Sequence, residues 1–187
     1  MNILIVGVGG QGTLLASRVL GGLADIKGLD CKLSEVHGMS QRGGSVVTHV
    51  KLAEKVYSPI IAEGDADIIL SFEELEAIRW QHFLKKDGVI VCNSQQIAPM
   101  PVIIGKMQYP DGIIDKMIES GKNVVTVDAL KIAEEVGNPK TANVVMLGVL
   151  GKRLNIDFED MKKALLLTVK PKFADINVVA LERGYNY

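Results

Sequence analysis

The segment Asn2 to Val6 is a short apolar run, and the glycine-rich stretch Gly7-Val8-Gly9-Gly10-Gln11-Gly12 follows it directly. A strand needs such continuous apolar character when it is buried on both faces of a sheet. From Thr13 to Lys27 the residues Leu14, Leu15, Val19, Leu23 and Ile26 fall mainly on one side at helical spacing, and Gly28 ends the pattern. A buried strand, a tight turn and an amphipathic helix in immediate succession form the opening unit of an α/β fold.

The same alternation continues along the chain. Further strands are predicted at Cys31 to Val36, Val46 to Leu52, Asp67 to Ser71, Val89 to Asn93 (after a turn at Lys86-Asp87-Gly88) and Asn123 to Val127. Helices are predicted at Glu73 to Phe83, Asp111 to Ser120 and Asp128 to Val136, with Asp128 as N-cap. Asn138-Pro139 opens a helix to about Lys152. Two more run from Asp157 or Phe158 to Val169 and, after a break at Lys170-Pro171, from Lys172 to Arg183. Three of the six prolines lie between Ser94 and Pro110, so an irregular connection is expected there, with a short edge strand at Val102 to Ile104. The predicted architecture is an open, mostly parallel sheet with helices on both faces and a helical C-terminal region. No linker divides the chain, so residues 1–187 are expected to form one domain.

Composition removes several function classes. A formal net charge of -1, from 21 basic and 22 acidic side chains, argues against nucleic-acid binding. Cys31 and Cys92 lack CxxC spacing, and two thiols cannot ligate an iron–sulfur cluster alone. With His37, His49 and His82 they show no metal-ligand spacing, so no metal is expected. The longest apolar run, Ala142 to Leu150, is shorter than the roughly 20 residues that span a bilayer, and the opening residues lack a signal-peptide pattern. A cytoplasmic location, without membrane contact, is expected.

The glycine turn fits GxGxxG at Gly7, Gly9 and Gly12. It is open to three interpretations: dinucleotide binding, a structural turn that holds an anion at the helix N-terminus, or docking of a partner's cofactor domain. The first expects an acidic residue about 20 residues on, and Glu35 is the candidate. The absence of GKS or GKT excludes an ATPase-type phosphate loop.

Glu35 opens the second informative segment, Glu35-Val36-His37-Gly38-Met39-Ser40-Gln41-Arg42-Gly43-Gly44. A strand delivers it to the carboxyl edge of the sheet, where ligands bind in open α/β folds. Arg42 beside two glycines can approach a carboxylate or phosphate as a rigid fork of donors. His37 can carry a proton near neutral pH. Two assignments stay open: an internal scaffold with Arg42 paired to Glu35, or a ligand pocket or subunit interface. Tyr57-Ser58-Pro59 and Asn93-Ser94-Gln95 either line the same cleft or form ordinary turns. Met39, Met100 and Met107 belong either to adaptable contact surfaces or to the core.

These two segments, with Tyr57-Ser58-Pro59, Ala66-Asp67, Phe72-Glu73 and Pro171-Lys172-Phe173, resemble the gamma-type subunits of 2-oxoacid:ferredoxin oxidoreductases along almost the whole chain. The resemblance implies a Rossmann-like three-layer fold and a role in oxidative decarboxylation of a 2-oxoacid to an acyl-coenzyme A. Indolepyruvate is the expected substrate, with pyruvate or another 2-oxoacid as the alternative and a free-standing nucleotide-binding protein as a third option. Thiamine diphosphate, magnesium and iron–sulfur clusters are implied in a larger partner subunit, with ferredoxin as electron acceptor, coenzyme A as co-substrate and dimerisation as a further option. The chain itself lacks the GDG…N signature for magnesium and thiamine diphosphate, so the electron carriers are expected in trans. No residue is assigned a chemical step. The Glu35 to Gly44 segment is expected at the interface or shared active site, and Gly7, Gly9, Gly10, Gln11 and Gly12 near an anion or cofactor.

Overall fold

A computed structural model describes residues 1–38 and 43–187; Met39, Ser40, Gln41 and Arg42 lie outside the described residues. Six strands form one sheet: β1 (Asn2–Val8), β2 (Asp30–His37), β3 (Ser45–Ala53), β4 (Ala66–Ser71), β5 (Leu84–Asn93) and β6 (Asn123–Val127). Their spatial order is β2-β3-β1-β4-β5-β6. The pairs β1/β4, β4/β5 and β5/β6 are parallel, whereas β3 runs antiparallel to both β1 and β2. Five strands therefore share one direction, and β3 is wedged in reversed.

The sequence explains which strands are central. Ile3 and Ile5 enter one core while Leu4 and Val6 enter the other, and all four are fully buried. That two-sided alternation demands cover on both faces. β3 is likewise almost wholly buried, whereas β2, with Asp30, Lys32 and Glu35, is largely exposed and takes the edge.

One face is covered by α1 (Thr13–Lys27), α5 (Ala129–Val136), α6 (Ala142–Arg153), α7 (Phe158–Thr168) and α8 (Ala174–Tyr185). The other has a thinner cover. It consists of α2 (Glu74–Trp80), α4 (Ile113–Glu119) and the segment around Ile61. A four-residue helix, α3 (Met100–Ile103), interrupts the connection between β5 and α4. The apolar run from Ala142 is the middle of the thick layer, and its residues 144–151 are all buried. No helix among the described residues is long and apolar enough to cross a membrane.

Helix ends obey local chemistry. Gly28 closes α1 at φ 67°. Asp128 accepts from Lys131 N at 3.1 Å, and Asp157 accepts from Glu159 N at 2.9 Å. Two expectations fail. Val102 to Ile104 do not form an edge strand: Pro99 and Pro101 start a helical turn, with Ile103 N donating to Pro99 O at 3.1 Å. Proline's fixed φ suits a first helical turn, and its missing N–H is of no use in a ladder. Lys86 to Gly88 are not a turn before the strand either. They lie within β5, in an irregularity where the register against β4 shifts between Ala66 and Ile68. Gly88 is required there, because a Cβ would press on Leu84 and on Asp67 O.

Helices α6 and α8 meet backbone to backbone at Gly148 and Gly184. A Cβ on Gly148 would run into Leu181 O and Tyr185 N, and one on Gly184 into Val145 O. Alanine raises helix propensity by about 1 kcal/mol. Here overpacking, typically about 1–3 kcal/mol, opposes that gain against backbone that cannot yield like a side chain. Gly184→Ala should therefore lower the unfolding free energy in a urea titration; a stabilised variant would contradict this packing.

His49 is buried on the thin side, and its Nδ1 accepts from Ile61 N at 3.2 Å. Burial holds its pKa below the usual histidine value. The unfolded chain then binds the proton more readily, so His49's contribution is complete above the unfolded value of about 6.5 and is lost as pH falls from there toward the folded value. Urea unfolding from pH 7.5 down to 5 should show stability dropping below about 6.5. His49→Gln should flatten that drop.

Candidate functional site

The glycine turn sits at the carboxyl end of β1. Gly10 has φ 108° and Gly12 φ 89°, conformations that favour glycine. Gly12 caps α1 and faces α6 so closely that a Cβ would overlap the Asn143 side chain. Gln11 is the staple. Its Oε1 accepts from Val8 N at 2.8 Å, and its Nε2 donates to Phe72 O at 2.8 Å and to Gln95 Oε1 at 3.1 Å. One neutral amide thus binds the ends of β1, β4 and β5 together.

The second predicted segment is the connection between β2 and β3. Because β3 reverses direction, this hairpin turns back at the carboxyl edge of the parallel strands and meets the glycine turn. Gly9 N donates to Gly44 O at 2.8 Å, and Gly43 N donates to Gly9 O at 3.2 Å. The two segments therefore form one backbone-paired unit. A cleft of about 370 Å³ is lined by Gly9, Gly10, Gly12, Glu35 and His37. Thr48 Oγ1 donates to Glu35 Oε2 at 3.2 Å, and His37 Nδ1 donates to Gly38 O at 3.0 Å. The predicted Glu35–Arg42 pair lies outside the described residues.

This arrangement departs from dinucleotide binding. There the strand carrying the ribose-binding acid lies beside the first strand. Here β3 intervenes, which sets Glu35 two strand spacings, about 9–10 Å, from β1.

On the other side of the turn, a cleft of about 390 Å³ opens at the ends of β1 and β5, lined by Gly10, Gln11, Asn93, Gln95, Lys140 and Asn143. Asn93 and Gln95 thus reach the glycine turn, but on the side away from the cleft lined by Glu35 and His37. Tyr57 and Ser58 do not: they line a cleft with Met1 and Asn2, where β1 begins. Lys140 and Asn143 carried no sequence signal beyond their place at a helix start.

A third cavity, of about 510 Å³, lies between α2 and α3 and reaches Gly43, Gly44 and Ser45. The start of α2 supplies buried carboxyls on its wall. Glu73 accepts from Glu76 N at 2.9 Å, from Ile97 N at 3.0 Å and from Tyr109 Oη. Burial and then the bond to Glu73 push the Tyr109 phenol up, so it stays a neutral donor. Ser45 donates to Glu76, whose other oxygen lies 3.2 Å from Arg79 Nε. Sequence inspection missed this network, because each member looks like an ordinary helix-start or loop residue.

An iron–sulfur cluster does not fit these residues. Cys31 lies on edge strand β2 and Cys92 on β5, with three strands between them, and burial pushes the Cys92 thiol well up. Among the described residues no group of three or more His, Cys, Asp or Glu side chains gathers to hold a metal. Replacing Gln11 by Leu would leave Val8 N–H and Phe72 C=O without their partner at about 1–3 kcal/mol each. Thermal unfolding of Gln11→Leu should show that loss, whereas Gln11→Glu should restore the acceptor half alone.

Comparison with known proteins gives the family of the chain. The family model described as pyruvate ferredoxin/flavodoxin oxidoreductase matches residues 2–187. The chain is 42% identical over 188 residues to the indolepyruvate oxidoreductase subunit IorB of Thermococcus kodakarensis, covering 98% of this chain and 93% of the relative. It is 26% identical to the ketoisovalerate oxidoreductase subunit VorA of Methanothermobacter marburgensis, where the match spans all of this chain but 36% of the relative. In fold it is similar to the gamma subunit of a keto/oxoacid ferredoxin oxidoreductase from Geobacter sulfurreducens, with TM-score 0.74, 22% identity and coverage of 99% and 96%. It also matches 30% of a chain of the 2-oxoglutarate:ferredoxin oxidoreductase from Magnetococcus marinus at TM-score 0.75 and 18% identity, covering all of this chain. The chain belongs to the pyruvate ferredoxin/flavodoxin oxidoreductase family.

Proposed function

We propose that this chain is the small, cluster-free subunit of a cytoplasmic 2-oxoacid:ferredoxin oxidoreductase whose substrate is indolepyruvate. The observation that carries this reading is the near full-length match to IorB. In the assembled enzyme the large subunit holds thiamine diphosphate, magnesium and the iron–sulfur clusters. Thiamine diphosphate supplies the electron sink for decarboxylation. The substrate loses carbon dioxide, two electrons leave singly to ferredoxin, and the acyl group passes to coenzyme A.

This chain's part is positional. The paired unit of Gly7 to Gly12 and Glu35 to Gly44 forms the edge turned toward the large subunit and coenzyme A. Glycine N–H groups at the start of α1 suit an anionic group, and Lys140 adds a cation at the neighbouring cleft. In the sequence, Arg42 beside two glycines suits an anionic group as a fork of donors. The scarcity and separation of the two thiols support the assignment of the electron carriers to the partner.

The test compares the isolated chain with the co-produced complex for indolepyruvate- and coenzyme A-dependent dye reduction. The expected result is no turnover by the chain alone and turnover by a complex whose visible absorbance belongs to the large subunit. Arg42→Ala in the complex should lower kcat/KM by about tenfold or more, the effect of losing roughly 1.4 kcal/mol. Turnover by the isolated chain would sink the proposal, and a higher kcat/KM with pyruvate would move the substrate assignment.

A further inference from the structure

The connection between β5 and α4 exposes what a soluble chain normally buries. Met100, Ile103, Ile104 and Met107 are 64%, 65%, 55% and 64% exposed, and α3 contributes no buried residue. Directly inside this segment lies the cavity of about 510 Å³, with Val8, Leu75 and Val102 in its lining. Four large apolar side chains thus stand toward solvent beside a cavity whose lining is mostly apolar but includes Glu73, Glu76 and Arg79. Neighbouring apolar residues exposed together mark an interaction surface more often than single exposed ones do. The seventeen residues from Ser94 to Pro110 carry one charge, Lys106, so nothing charged interrupts the patch except at one point.

Location narrows the occupant. The cavity is shared with Gly43, Gly44 and Ser45, so the patch is continuous with the paired glycine unit. It also lies on the thin side of the sheet, where two seven-residue helices and the segment around Ile61 stand opposite the five helices of the other face. In VorA and in the Magnetococcus chain, the part that matches this fold is only 36% and 30% of the polypeptide, so a larger body is tethered to it. A second copy of this chain fits less well, because a two-fold contact centred on the patch would bring the two Lys106 side chains together.

We propose that the Pro99 to Met107 surface is the docking face for the large thiamine-bearing subunit, which meets it with apolar side chains and a carboxylate for Lys106. This rests on the functional reading above and adds to it a surface outside the glycine unit. Methionines and isoleucines on a short helix give an adaptable apolar contact, and the partner completes the cover of the thin side.

The test uses the full chain co-produced with the large subunit, identified by its thiamine diphosphate content and visible absorbance. Ile103→Lys/Met107→Lys should weaken association by about thirtyfold or more, the threshold of an interface hot spot, and should leave the melting temperature of the chain unchanged. Leu167→Lys on α7, at a site 72% exposed, is the control and should bind as wild type. If the lysine pair disturbs folding, Met100→Gln/Met107→Gln replaces it in the same measurement. Wild-type affinity in a folded double variant overturns the proposal. So does a homodimer of the chain alone that the double variant dissociates, since the occupant is then a second copy. If wild type itself fails to bind the large subunit, the functional reading falls and takes the docking face with it.

Discussion

The ladder between β1 and β3 is the constraint on which the site depends. β3 runs against β1 from Asn2↔Lys51 to Val8↔Ser45, and the two glycine bonds carry the pairing one step beyond the strand ends. An antiparallel neighbour is reached by a short hairpin, whereas a parallel one needs a long crossover. The reversal of this single strand therefore brings the β2–β3 connection to the carboxyl edge, beside the turn after β1. With β3 parallel, its start would lie at the opposite edge and the two glycine segments could not touch.

Much of the fold was legible in the sequence. The helix at Thr13–Lys27, the strand at Asn123–Val127 and the cap at Asp128 stand where periodicity and capping chemistry put them. What was not legible is partnership. An apolar strand pattern states how many faces are covered but not which strand lies alongside, so the insertion of β3 was invisible. The 94–110 connection misled for a related reason: isoleucine and valine favour strands, yet two prolines two residues apart set the backbone for a helical turn. At the site, both glycine segments were recognisable, whereas the role of Gln11 was not. A glutamine in a glycine-rich turn resembles a ligand-binding side chain, and only the positions of Phe72 and Gln95 turn it into an internal staple.

The polar groups around the turn share a chemical character. Gln11, Asn93 and Gln95 are neutral amides, and Asn93 joins Phe72 O to Ala129 N across the strand ends. Amides hold donors and acceptors in fixed places without changing charge across the physiological range. The ends of β1, β4 and β5 are therefore bound together by groups of fixed charge, while the buried histidine His49 sits lower on the thin side. This division suits the positional part proposed for the chain.

The thick helical layer has a consequence for how the chain reaches its native state. Ile3, Ile5, Leu70 and Val91 belong to the core completed by α6, α7 and α8, which span residues 142–185. At roughly 5–20 residues per second of synthesis, those 44 residues take about 2–9 seconds to appear. Through that interval one side of a nearly finished sheet is covered by α1 and α5 alone, and the rest of its apolar surface is left open on the ribosome. The chain is thus most prone to aggregation just before α6 arrives.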